Sequence, residues 1–134
     1  MLEVVVGALV RDGRVLLGRR SAGKLAFPGA WDLPGGVAEA GETELETLSR
    51  ELLEELGVQV EVESASRLCR VRVEPAGGPV MLSAWLVPKW RGTPANLAPD
   101  EHDDLGWFGL DELPATAHPS VRAALVAVLR DRAG

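Results

Sequence analysis

Between Pro34 and Val58 the chain reads PGGVAEAGETELETLSRELLEELGV, and no other stretch constrains the fold as tightly. Thr43 followed three residues later by Glu46 makes a capping box, so a helix is expected to begin near Thr43. Gly57 supplies the left-handed residue that ends a helix, which puts the last turn near Leu56. Leu45, Leu48, Leu52 and Leu56 recur at three- and four-residue steps and form a stripe that must be buried. Glu44, Glu51, Glu54 and Glu55 crowd the other arc, with only Arg50 at its edge. Like charges three or four residues apart destabilise an exposed helix by about 0.2–0.5 kcal/mol per pair, so a purely structural helix would gain from alternating signs. The cluster reads better as a cation site, because hard divalent ions take carboxylate oxygens and Mg2+ commonly bridges carboxylates to substrate phosphates.

A chain of 134 residues is expected to fold as one domain, spanning residues 1–134, around a single core. Its formal net charge of −6 argues against a nucleic acid polymer as partner, which calls for a basic footprint. It leaves a small nucleotide open, since a bound metal can supply the local positive charge. The lone cysteine, Cys69, cannot form an internal disulfide and fits a reducing compartment. No apolar run approaches the roughly 20 residues needed to span a bilayer, and the N-terminus has no signal-peptide pattern. A cytoplasmic protein without membrane association is the expectation.

Along the chain, Leu2 to Val10 is a β-branched run suited to a strand buried on both faces. A turn at Asp12-Gly13 returns it through Arg14 to Arg19 as a hairpin. Arg20 and Lys24 follow in a polar stretch and are candidates to reach a phosphate. Trp31 to Leu33 is read as a short strand, Pro34-Gly35-Gly36 as a loop of close backbone approach. Val58 to Val62 alternates as a strand with one wet face. Arg67 to Val73 and Val80 to Val87 are expected to pair across the turn Pro75-Ala76-Gly77-Gly78-Pro79. Trp85 and Trp90 lie along or just beyond this hairpin, and Trp85 is a candidate to stack on a base. Gly92 to Asp104 reads as a long polar loop, a length often tied to function. Pro119 opens a final helix with Val121, Ala124, Leu125, Val128 and Leu129 as its apolar stripe. Strands and two amphipathic helices together predict a mixed α/β domain. No serine, histidine and aspartate arrangement points to covalent catalysis.

From Gly36 the spacing is Gly, five residues, Glu42, seven residues, Arg50-Glu51-Leu52, one residue, Glu54-Glu55, one residue, Gly57-Val58. This pattern resembles the signature of the Nudix hydrolases, enzymes that cleave a nucleoside diphosphate linked to another group, and every fixed position is filled. The resemblance is to a small MutT-like member. It is sharp from Gly35 to Val58 and looser from Glu101 to Pro114, where an acid six residues before Trp107 matches Glu101.

The resemblance implies an α/β/α sandwich around a mixed sheet. It also implies Mg2+ or Mn2+ held by Glu51, Glu54, Glu55 and the Gly35 carbonyl. Glu51 or Glu101 would accept the proton from water, and the choice between them stays open. Asp100, Asp103 and Asp104 stand in reserve for Glu101. Arg50 would orient a catalytic glutamate through a charge-assisted contact, with Glu42 bracing the loop. His102 is expected at the surface, since Mg2+ prefers oxygen. His118 stands where members acting on oxidised nucleotides carry a polar base reader, although asparagine would match 8-oxo-dGTP better. The implied reaction takes a nucleoside 5′-triphosphate, oxidised or not, to monophosphate and pyrophosphate, by a monomer or homodimer. Hydrolysis of ADP-ribose or a nucleotide sugar, and a regulatory nucleotide-binding module without catalysis, are the alternatives. Pro75 lies close to the proline of ADP-ribose members, and the chain has no tyrosine to match the diadenosine polyphosphate members.

Overall fold

The computed structural model describes residues 1–75 and 77–133, so Ala76 of the expected turn lies outside the described residues. Its axis is β1 (Leu2–Arg11), where the β-branched run predicts a strand covered on both faces. Val6, Ala8 and Val10 point into one apolar cluster, while Val5 and Leu9 point into another. A strand's side chains alternate between faces, so a continuous apolar run needs a layer on each side. The first cluster is completed by Val121, Leu125 and Leu129 of the final helix, α2 (Pro119–Ala133). The second is completed by Leu48, Leu52 and Leu56 of the acidic helix, α1 (Glu44–Leu56). The result is the expected α/β/α sandwich.

The ends of α1 follow the local signals. Thr43 Oγ1 accepts from the Glu46 amide at 3.1 Å, the Glu46 carboxylate accepts from the Thr43 amide at 2.9 Å, and Gly57 closes the helix at φ 74°.

The sheet is mixed and seven-stranded. β1 turns at Asp12 and Gly13, both at positive φ, into β2 (Arg14–Arg20). The expected hairpin is short: β1 and β2 pair only at Val10 with Val15 and Arg11 with Arg14. Beyond that they splay. The chain then fills the wedge, first as β3 (Trp31–Asp32) against β2, then as β4 (Gly35–Val37) against β1. On its other edge β1 pairs in parallel with β7 (Val80–Val87), which pairs antiparallel with β6 (Ser66–Val73) as expected.

Two expectations need correction. The strand expected over Val58–Val62 shrinks to β5 (Gln59–Val60), paired with β8 (Trp90–Arg91), because Val58 is drawn into the α1-side core and Val62–Ser64 forms a 3-10 turn. The loop expected to run to Asp104 ends earlier, at β9 (His102–Phe108). The outer edge of β2 demands a partner for its backbone groups, and β9 supplies one with Asp103 and Asp104 facing solvent.

Candidate active site

The wedge between β1 and β2 delivers the chemistry. Where β3 passes into β4, Gly35 adopts φ 151°, and a Cβ there would lie 2.1 Å from the Val5 carbonyl oxygen. At Gly36 a Cβ would lie 2.5 Å from Cδ of Glu51. Only bare backbone lets β4 sit on β1 and α1 bring its carboxylates against that backbone.

Arg50 organises the acids of α1. Its Nε and Nη2 donate to Glu42 at 2.7 and 2.9 Å, its Nη1 to Glu51 at 2.8 Å, and its Nη2 also to the Val37 carbonyl at 3.0 Å. Glu42 further accepts from the Glu39 amide at 2.8 Å and the Thr47 hydroxyl at 2.9 Å. The Arg50 hydrogen bonds, aided by the Glu39 amide, lower the Glu42 pKa to about 2. Arg50 is pushed up in return, chiefly by Glu42.

The acids divide by depth, which the helical wheel does not express. Glu54 is exposed and lies 3.5 Å from Arg50. Glu55, expected on a wet arc, is 4% exposed, with Gly35 of β4 and His102 of β9 against its carboxyl. Burial raises its pKa to about 9, reinforced by a hydrogen bond with Glu51 and by the charges of Glu51 and Glu101, while the Gly35 amide opposes. Glu55 Oε1 has no hydrogen-bond partner among the described residues. Glu44 turns away from this group to accept from Trp85 Nε1 at 2.9 Å and Arg67 at 2.8 Å. Among the described residues, no three acidic, histidine or cysteine side chains already converge as a closed cation cage. The donor set nevertheless suits a hard divalent ion. It is all carboxylate oxygen, one buried oxygen is unpartnered, and the charges of Glu51 and Glu101 bear on Glu55 in a way a cation would relieve.

A cavity of about 390 Å³ opens beside this group. Glu51, Glu101, Gly35, Gly36, Arg20 and Lys24 lie along it, with Asp32 and His118 also in its wall. Lys24 Nζ donates to Glu101 at 2.6 Å, and Arg20 Nε donates to the Ala26 carbonyl at 2.7 Å. His118 Nε2 sits 3.9 Å from Asp32 Oδ2, and the Phe27 ring meets His118 edge-on at 5.2 Å between centroids. Burial raises the Asp32 pKa and lowers that of His118, each partly offset by the other's charge. A wider and more open depression of about 720 Å³ at the Asp12–Gly13 turn carries Asp12, Asp111 and Glu112, the last beside Arg14, but none of the signature glutamates.

The structure thus brings Arg20, Lys24, Gly35, Glu51, Glu101 and His118 to one cavity, with Glu55, Arg50 and Glu42 behind them and Glu54 at the exposed side of α1. Trp85 is not in the cavity wall: its indole is engaged by Glu44, and Arg67 lies 5.6 Å over the ring. His102, expected at the surface, is 5% exposed and lines the cavity, because the strand that carries it packs onto β2. Asp32 and Phe27 were absent from the candidates. An acid between Trp31 and Leu33 in a short strand is the available signal for Asp32. Phe27 carried none, since its φ of 50° and its contact with His118 belong to the folded loop.

Comparison with known proteins shows the family of the chain. The family profile of the NUDIX domain matches residues 1–129. The CTP pyrophosphohydrolase of Escherichia coli (strain K12) is 37% identical over 112 residues, 84% of this chain and 78% of the relative. The 8-oxo-dGTP diphosphatase of the same organism is 27% identical over 129 residues, 96% of each. Among solved structures, the MutT NUDIX hydrolase from Burkholderia pseudomallei matches with a TM-score of 0.82 at 36% identity, covering 92% of this chain and 95% of that one. With a profile spanning nearly the whole chain and the same fold in a relative of that identity, the chain belongs to the Nudix family and is a Nudix hydrolase.

Proposed function

We propose that this Nudix hydrolase is a divalent-cation-dependent pyrophosphohydrolase of nucleoside 5′-triphosphates, converting nucleotide and water to the monophosphate and pyrophosphate. The observation that carries this reading is the mixed lining of the cavity. Acids, Arg20 and Lys24 line it together with Asp32 and a half-buried His118 that Phe27 meets edge-on, so a polyphosphate and a nucleobase each find suitable chemistry. The names of the relatives, one acting on CTP and one on 8-oxo-dGTP, support the same class.

In this reading Glu51, Glu54 and Glu55, with the Gly35 carbonyl, would hold Mg2+ or Mn2+, which would supply positive charge for the phosphates and acidity for water. Arg50, pinned by Glu42, orients the Glu51 carboxylate, and either Glu51 or Glu101 accepts the proton of the attacking water. Lys24 and Arg20 meet phosphate oxygens, Lys24 exchanging Glu101 for substrate. Asp32 and His118 read the edge of the base. Pro75 also lines the cavity, and on that observation ADP-ribose or nucleotide-sugar hydrolysis is the second reading.

The test is product analysis with Mg2+ over CTP, dCTP, the other triphosphates, 8-oxo-dGTP, ADP-ribose and nucleotide sugars. Preferred turnover of a triphosphate to monophosphate plus pyrophosphate is expected, and Glu54→Gln should abolish it. Turnover confined to ADP-ribose or a sugar conjugate would replace the leading reading with the second. Tight nucleotide binding without turnover would indicate a regulatory module.

A further inference from the structure

His102 opens β9 directly after Glu101 and is buried, yet its Nδ1 has no hydrogen-bond partner among the described residues. Glu55 Oε1, unpartnered as well, lies 3.7 Å away. Two buried polar atoms without partners that face each other at this distance are one small side-chain rotation from a hydrogen bond. The imidazole is firmly placed. Its ring occupies space left by the missing side chain of Gly18, where a Cβ would lie 2.4 Å from His102 Cδ2. Its backbone is held by the Ala98 carbonyl at 3.1 Å and by Asn96 Nδ2, which donates to the His102 carbonyl at 2.7 Å. A neutral imidazole carries one N–H and can place it on Nδ1.

We propose that His102 is a positioning residue whose Nδ1–H steadies the Oε1 side of Glu55 for cation binding. The inference rests on the reading of Glu55 as a cation ligand. Groups that hydrogen-bond a metal's ligands fix their orientation, and losing one weakens metal affinity about 10–100-fold. Glu51 and the Gly35 amide already engage the Glu55 carboxyl, yet its Oε1 stays without a partner, and β9 brings His102 Nδ1 to that oxygen.

The experiment is Mn2+ titration without nucleotide, following free Mn2+ by electron paramagnetic resonance, with circular dichroism as a check on folding. His102→Phe fills the space without a donor and should weaken binding about tenfold or more. His102→Asn, whose amide can stand near the Nδ1 position, should restore most of the affinity. Glu55→Gln should weaken binding, and adding His102→Phe to it should change nothing further. Wild-type affinity in His102→Phe beside a loss in Glu55→Gln overturns the inference, as does an equal further loss in the double variant. If the Phe variant does not fold, Asn against Gln at position 102 decides: tighter binding by Asn supports the role, and equal affinities overturn it. Wild-type affinity in Glu55→Gln removes Glu55 as a ligand, a separate result that overturns the parent reading together with this one.

Discussion

Glu42 and Glu55 are both glutamates of the signature, yet their surroundings drive them in opposite directions. Glu42 is held ionised by Arg50, the Glu39 amide and Thr47, and its pKa falls to about 2 from 4.5. A carboxylate lowered in this way stabilises the fold above its ordinary pKa and loses that contribution as pH falls toward the folded value. Urea unfolding should therefore show wild type losing stability between about pH 4.5 and 2 more steeply than Glu42→Gln. Glu55, raised to about 9, has the reverse sign. The folded state binds the extra proton between 4.5 and 9, so the metal-free protein becomes less stable as pH rises through that window. Glu55→Gln should flatten this slope and give a metal-free protein of higher melting temperature at neutral pH, while abolishing turnover. An unchanged slope in a calorimetric pH series would contradict it. The presence of both carboxylates could be read from spacing. Their opposite environments could not, because a helical wheel gives direction without depth, and Glu55 is buried by strands far from it in sequence.

The helix α1 is the element most fully written in its own residues. Its capping box, glycine terminus and leucine stripe depend on contacts within a turn or two, and each stands where the spacing put it. Thr43→Ala should cost about 1 kcal/mol through loss of the cap. Leu52→Ala, at a fully buried position, should cost about 2–5 kcal/mol, both read by denaturant titration. Gly36→Ala tests the junction of α1 with β4. Its methyl group would collide with the Glu51 carboxylate, so turnover should fall on the order of 100-fold from misplacement of the acid. The strands were legible as strands, but their partners were not. β2 reads as the return arm of a hairpin and spends most of its length on β9 instead. Alternation says which face of a strand is wet and nothing about which edge it meets.

For the molecule as a whole, the charges of Glu51 and Glu101 bear on the buried Glu55 carboxyl, and a bound cation would relieve that repulsion. Adding Mg2+ or Mn2+ at about 100 times its dissociation constant should stabilise the fold by about 2.7 kcal/mol, visible as a higher melting temperature. Chelation should reverse the gain, and Glu55→Gln should show less of it. The described residues contain no helix long and apolar enough to cross a membrane. The family signature, both helices, the buried central strand and the layered α/β class were determined by the chain's own pattern, since caps, turns and periodicity act over a few residues. The wedge between β1 and β2, the early start of β9, the removal of Trp85 from the cavity, and the Glu55–His102 and Asp32–His118 pairs were decided only by tertiary structure. They arise where segments distant in sequence compete for the same sheet edges and the same buried volume, and no local spacing encodes the outcome of that competition.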